Sequence, residues 1–177
     1  MQTITTVTNV YSFNELSNEA KQKAISHFCD INVDYDWWNY TYEDAANIGL
    51  KITSFDIGRG SYCKGVFANN AYEVANLIIK NHGEICESYK TAQMFINEWN
   101  ALVSEMSDGI NKQKVCEDKT NEFDDLADYL ENEFLKNICE DYRIILQKEY
   151  ESLTSEKAVI ETIEANDYQF TESGEMF

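Results

Sequence analysis

The chain has 177 residues, is 44% hydrophobic and 13% aromatic, and carries a formal net charge of −18. That size and apolar content predict one compact domain and exclude a disordered chain. There is no run of about 18 apolar residues, and the start Met1-Gln2-Thr3-Ile4 has no basic, apolar leader, so neither a membrane span nor a signal peptide is expected.

Taken in chain order, Thr3 to Tyr11 is rich in Thr and Val and predicts a strand. Ser12-Phe13-Asn14-Glu15 has the form of a capping box, and Ser17-Asn18-Glu19 offers a second start. The helix they open runs to about Cys29, with Leu16, Ala20, Ala24, Ile25 and Phe28 on one face. The aromatic, acidic stretch from Asp34 to Asp44 leads into a helix that Gly49 stops after Ile48. Leu50 to Ile57 and Ser61 to Ala68 predict two strands joined by the turn Gly58-Arg59-Gly60. Asn70 caps a helix to Asn81, ended by His82-Gly83. Residues 84–106 predict an amphipathic helix with Ile85, Tyr89, Ala92, Ile96, Trp99 and Val103 on one side. A polar loop or hinge is expected near 107–119, around Gly109. The long helix over 120–151 has an apolar stripe of Phe123, Leu126, Leu130, Phe134, Ile138, Tyr142 and Ile145. Ser155 starts a last helix to about Ala165, and Tyr168 to Phe177 predicts a terminal hairpin. Few strands, not alternating regularly with helices, indicate an α+β fold: a small antiparallel sheet packed by several amphipathic helices, in a single compact domain over 1–177.

The acids are uneven. Residues 1–103 hold 12 acids and 7 bases, and residues 104–177 hold 20 acids and 7 bases. Such a surface repels nucleic acid and anionic membrane and attracts a basic partner. The five cysteines, Cys29, Cys63, Cys86, Cys116 and Cys139, form no CxxC pair and suit free thiols in a reducing cytoplasm. The two histidines, His27 and His82, sit at helix ends, where a cation suits the helix dipole. No HExxH motif or local Ser-His-Asp set occurs, so no enzyme, metal or cofactor is expected. Asp34, Asp36, Glu43 and Asp44 cluster, but without the spacing of a calcium loop.

Two constellations remain. Arg59 at the hairpin tip, with Tyr62 and Lys64, offers cations for a phosphate or carboxylate. Trp37, Trp38, Tyr40 and Tyr42 offer rings on which a base can stack. Together they outline a site for a nucleotide-type small molecule; the plainer account is an ordinary turn beside aromatics that fill the core. The other constellation is the acidic row Asp118, Glu122, Asp124, Asp128 and Glu131, whose three- and four-residue spacing places carboxylates together on one helix. Such a row can face a basic protein or imitate a DNA backbone; the plainer account is a solvated helix face.

Tyr11-Ser12-Phe13-Asn14-Glu15-Leu16-Ser17, Asp36-Trp37-Trp38, Arg59-Gly60-Ser61-Tyr62-Cys63-Lys64-Gly65 and Ile163-Glu164-Ala165-Asn166-Asp167-Tyr168-Gln169-Phe170-Thr171 resemble segments of small phage and prophage proteins, often labelled antitoxins. The resemblance implies a phage protein acting in the host cytoplasm as a stoichiometric inhibitor of a bacterial defence system. The first expectation from it is sequestration of a nucleotide-type immune signal. The alternative is direct binding to a defence protein or toxin, as a DNA mimic or antitoxin. It brings no catalytic residues with it. Exposed strand edges are compatible with a homo-oligomer.

Overall fold

The computed structural model describes residues 1–4, 7–111 and 117–177, with 108–111 and 117–120 by backbone alone. The expected α+β class is found: six α-helices and two small antiparallel sheets of two strands each. The chain divides into two compact units, one made of Met1–Trp37 with Lys148–Phe177 and the other of Trp38–Gln147.

In the first unit, strand β1 (Tyr11–Ser12) pairs antiparallel with β4 (Gln169–Phe170), and Phe170 bridges on to Met176. The Glu15 carboxylate accepts hydrogen bonds from the Ser12 backbone N–H and hydroxyl, both at 2.8 Å. These bonds hold its carboxyl below the usual range. They close only a 3₁₀ turn over Phe13–Glu15. Helix α1 (Asn18–His27) starts at the second signal, where the Ser17 hydroxyl accepts from Ala20 N–H, and Ser155 caps α6 (Glu156–Ala165) in the same way. Each such cap contributes about 1 kcal/mol. Phe13, Leu16, Ala20, Ala24, Val159, Ile163 and Phe170 form the core of this unit. Phe28 stacks on Tyr168 with ring centroids 5.1 Å apart. Asn32 donates to the Leu153 carbonyl and accepts from the Thr162 hydroxyl, tying its loop down.

The strand expected over Thr3–Tyr11 is reduced to β1. Residues 1–4 and 7–10 have no regular structure, and Ile4 and Val7 are exposed; Thr5 and Thr6 lie outside the described residues. Propensity makes a strand only where a partner edge satisfies its backbone, and β4 pairs with just Tyr11 and Ser12.

In the second unit, α2 (Asn39–Asn47) ends as expected before Gly49, whose φ of +81° favours glycine. Strands β2 (Leu50–Asp56) and β3 (Tyr62–Phe67) form the predicted hairpin, with a bulge between Ile52 and Ser54. Cys63, Gly65 and Phe67 face inward, while Tyr62, Lys64 and Val66 face solvent. The Asn70 side chain accepts from Glu73 N–H at the start of α3 (Ala71–Asn81). Helices α4 (Glu87–Asn111) and α5 (Glu117–Leu153) follow. Ile48, Leu50, Val74, Ile78, Ala92, Phe95, Phe134, Ile138 and Tyr142 are central to the core of this unit.

Helix α4 continues through 107–111, where a loop was expected. One interior glycine costs about 1 kcal/mol, too little to end a long helix. The rest of the expected hinge at 112–116 lies outside the described residues. On α5 the buried line is Phe134, Ile138, Tyr142 and Leu146, whereas Leu126 and Ile145 are exposed. Each four-residue step advances about 40° around a helix, which carries the line onto Leu146. Ile85, expected on the α4 stripe, precedes that helix and is exposed.

Candidate functional site: an acidic groove between α4 and α5

The hairpin presents its cations to solvent. β-alternation places Tyr62 and Lys64 on the same outer face, with Lys64 Nζ 5.1 Å from the Tyr62 ring centre. Arg59 is exposed at the turn and makes no ion pair among the described residues. The chain's other arginine, Arg143, is engaged: it holds both Glu140 oxygens, at 2.8 and 2.7 Å, and donates to the Ser61 hydroxyl. Trp38 and Tyr42 are half-buried, each packed edge-on against Phe55 of β2. Tyr40 is exposed. Trp37 belongs to the first unit, where it is buried beside Tyr150. Thus Trp38 and Tyr42 join the hairpin through Phe55, Tyr62 and Lys64 share its outer face, and Trp37 is buried beside Tyr150 in the first unit.

A polar network lies deeper in the same unit. His82 Nδ1 and the Ser88 hydroxyl are 2.7 Å apart, His82 Nε2 is 3.8 Å from Asp44 Oδ1, and the Tyr142 hydroxyl donates to Asp44 Oδ2 at 2.7 Å. Hydroxyl, imidazole and carboxylate here come from three separate elements, so no local motif announced them. A nucleophile must meet its substrate, and Ser88 is only 5% exposed. The two hydrogen bonds fasten the end of α3 to α4 and α2 to α5, while the buried His82 Nε2 has no hydrogen-bond partner among the described residues. Burial and the Asp44 hydrogen bond push the Tyr142 phenol far up, so it stays protonated and donates. Among the described residues no group of three or more His, Cys, Asp or Glu is placed to hold a metal ion. Nor is any helix among them long and apolar enough to cross a membrane. Cys63 of β3 and Cys139 of α5 are free thiols in mutual contact; the hydrogen bond to Cys139, then burial, push the Cys63 thiol up.

The cavity with the most developed chemistry is a groove of about 490 Å³ between α4 and α5. Its floor is the stacked pair Phe95 and Phe134, with ring centroids 4.4 Å apart and planes at 12°. Such a pair contributes about 0.5–1.5 kcal/mol beyond its buried area. Leu130 is half-buried beside them, while Met94 and Tyr129 stand 62% and 61% exposed on the walls. Glu98, Glu133, Glu140 and Asp141 are its charged lining and Thr91 and Asn137 its neutral polar lining, and no Lys, Arg or His among the described residues joins them. Asp141 accepts from the Thr91 hydroxyl at 2.9 Å, joining the two walls. Burial holds its carboxyl above the usual range, with the charges of Glu87 and Glu140 adding to the effect against the Thr91 bond. Glu140 goes the other way, held low by Arg143.

None of these is among the acids picked out by spacing alone. Asp124 lies nine residues before Glu133, which at about 100° per residue places it on the opposite side of α5. Asp128 and Glu131 also project away from the groove, and Glu122 falls on the groove side one turn before Leu126. The side chain of Asp118 lies outside those described. Glu98 of α4 entered no pattern, because a carboxylate off an apolar stripe looks like any solvated acid. The available signal was Met94 and Tyr129, apolar residues on otherwise polar faces. Compared with known proteins, the chain matches no family model, no curated protein and no solved structure.

Proposed function

We propose that this protein is a non-enzymatic inhibitor that binds a basic protein partner, a bacterial defence protein or toxin, directly and stoichiometrically through its acidic half. One observation carries the reading: among the described residues, four carboxylates and no base line a groove with an apolar floor, in a chain of net charge −18. A field of that sign speeds encounter with a cationic surface and rejects nucleotides and nucleic acid. The sequence resemblance to small phage proteins supports a setting in which a host factor is the target.

The test is capture of partners by the tagged protein from bacteria carrying defence systems, with salt raised from about 0.1 to 1 M, which shortens the Debye length from about 10 to 3 Å. The expected result is a basic protein released by salt. A partner of acidic surface, retained at 1 M, overturns the reading.

Sequestration of a nucleotide-type signal is the second reading. It is favoured by Arg59, exposed and without an ion pair among the described residues, at the turn that leads into the strand carrying the Lys64–Tyr62 pair. A nucleotide released on heating the purified protein, and lost with Arg59→Ala, would establish it; calorimetry showing unchanged affinity in that variant would remove Arg59 from it.

A further inference from the structure

We infer that the groove between α4 and α5 is the docking site for an amphipathic basic helix of the partner. The inference rests on the reading that the protein binds a basic partner directly, and it adds the place and the shape of what is recognised. Three features of the groove set the occupant.

Its length is the first. Along α5 the lining runs from Tyr129 to Asp141, about 18 Å at 1.5 Å per residue, and along α4 from Thr91 to Glu98, about 11 Å. The span with two walls is about two helical turns, long for a single side chain and enough for the four anchors of one helix face. The second is the apolar floor and walls. Met94 and Tyr129 are exposed and Leu130 is half-buried, above Phe95 and Phe134, which are already buried. A helix laying anchors at i, i+3, i+4 and i+7 along this strip buries apolar surface on both partners. The third is the charge. Among the described residues Glu98, Glu133, Glu140 and Asp141 line the groove and no base does. Glu133 and Glu140 bind Lys136 and Arg143 outside the groove, while Glu98 is exposed and makes no ion pair among the described residues. Lysines or arginines flanking the apolar anchors would meet these carboxylates. A second copy of this chain is a poor occupant, since it brings the same negative charge.

The test uses the full-length protein and a synthetic labelled helix of about 14 residues, with a leucine stripe flanked by lysines, read by fluorescence anisotropy. A second peptide of the same composition has its leucines scattered around the helix. The striped peptide is expected to bind at least tenfold more tightly. Glu98→Lys should weaken it at least tenfold, and Asp124→Lys, an equal charge change on the opposite side of α5, less than twofold. Met94→Glu is the sharpest variant. It adds negative charge, so charge alone predicts unchanged or tighter binding, whereas loss of an apolar wall predicts at least tenfold weaker binding. Circular dichroism melting of each variant checks that the fold is intact.

Equal binding of both peptides, with equal losses in Glu98→Lys and Asp124→Lys, overturns the groove and leaves direct binding to a basic partner standing. If neither peptide binds at low salt, both readings are overturned. A dimer of this chain that covers the groove and is not dissociated by the striped peptide also overturns the groove as a partner site.

Discussion

Replacing Gly174 by alanine probes the first unit, because its cost can be built from two parts. Gly174 has a φ of +81°, in the left-handed region that costs an L-residue roughly 1–2 kcal/mol. An added Cβ would also overlap the Ala20 carbonyl and lie 3.0 Å from the Ala20 Cα. That obstacle is helix backbone, which cannot swing aside as a side chain does. The terminal turn would have to lift from α1 and loosen the Phe170–Met176 bridge beside the core. Gly60 supplies the control: its φ is +85°, and nothing lies within 4 Å of its would-be Cβ. Gly60→Ala should therefore cost only the conformational part, about 1 kcal/mol. Gly174→Ala should cost about 3 kcal/mol or more, within the long tail for point substitutions and large against a total stability of about 5–15 kcal/mol. Urea unfolding followed by circular dichroism measures both through the transition midpoints. Equal costs for the two variants would refute the close approach of the terminal turn to α1.

Three further outcomes are expected. Tyr142→Phe removes a hydrogen bond to the Asp44 carboxylate and should cost about 1.5 kcal/mol in urea unfolding; an unchanged midpoint would contradict the fastening role of the network. Asp141 is held above the usual carboxylate range chiefly by burial, so its contribution to stability is present in acid and lost as pH rises through its folded pKa. Asp141→Asn should therefore gain stability relative to the parent between about pH 3 and pH 7, and unfolding curves differing by the same amount at both pH values would contradict this. In peptide mapping after iodoacetamide at pH 8, the exposed Cys29 and Cys86 should label quickly and Cys63 slowly, because hydrogen bonding to Cys139 and burial disfavour its thiolate; fast labelling of Cys63 would refute the pairing.

Local chemistry made much of the fold legible. Ser17, Asn70 and Ser155 cap helices where their spacing predicts, Gly49 stops α2, and Gly58-Arg59-Gly60 turns the hairpin. These signals are self-contained, since each satisfies backbone groups within a few residues. The misplaced features depend on distant partners. Thr3 to Val10 has the composition of a strand, but its described residues have no long edge to pair with, and Ser12 closes a 3₁₀ turn while Ser17 starts the helix. The groove is of the second kind as well. Glu98 and Glu133 acquire a common role only when α4 and α5 pack through Phe95 and Phe134. Within α5, spacing could group Asp124, Asp128 and Glu131 but not tell which side of the helix borders a cavity. The Asp44, His82 and Ser88 network escaped the sequence for the same reason.

The most direct measurement is carboxylate footprinting of the protein, free and bound to its captured basic partner, using carbodiimide and an amine with mass-spectrometric readout. The account predicts that Glu98, Glu133 and Glu140 lose reactivity on binding while Asp124 and Asp128 keep theirs. Protection of Asp124 and Asp128, with Glu98 still reactive, would contradict it.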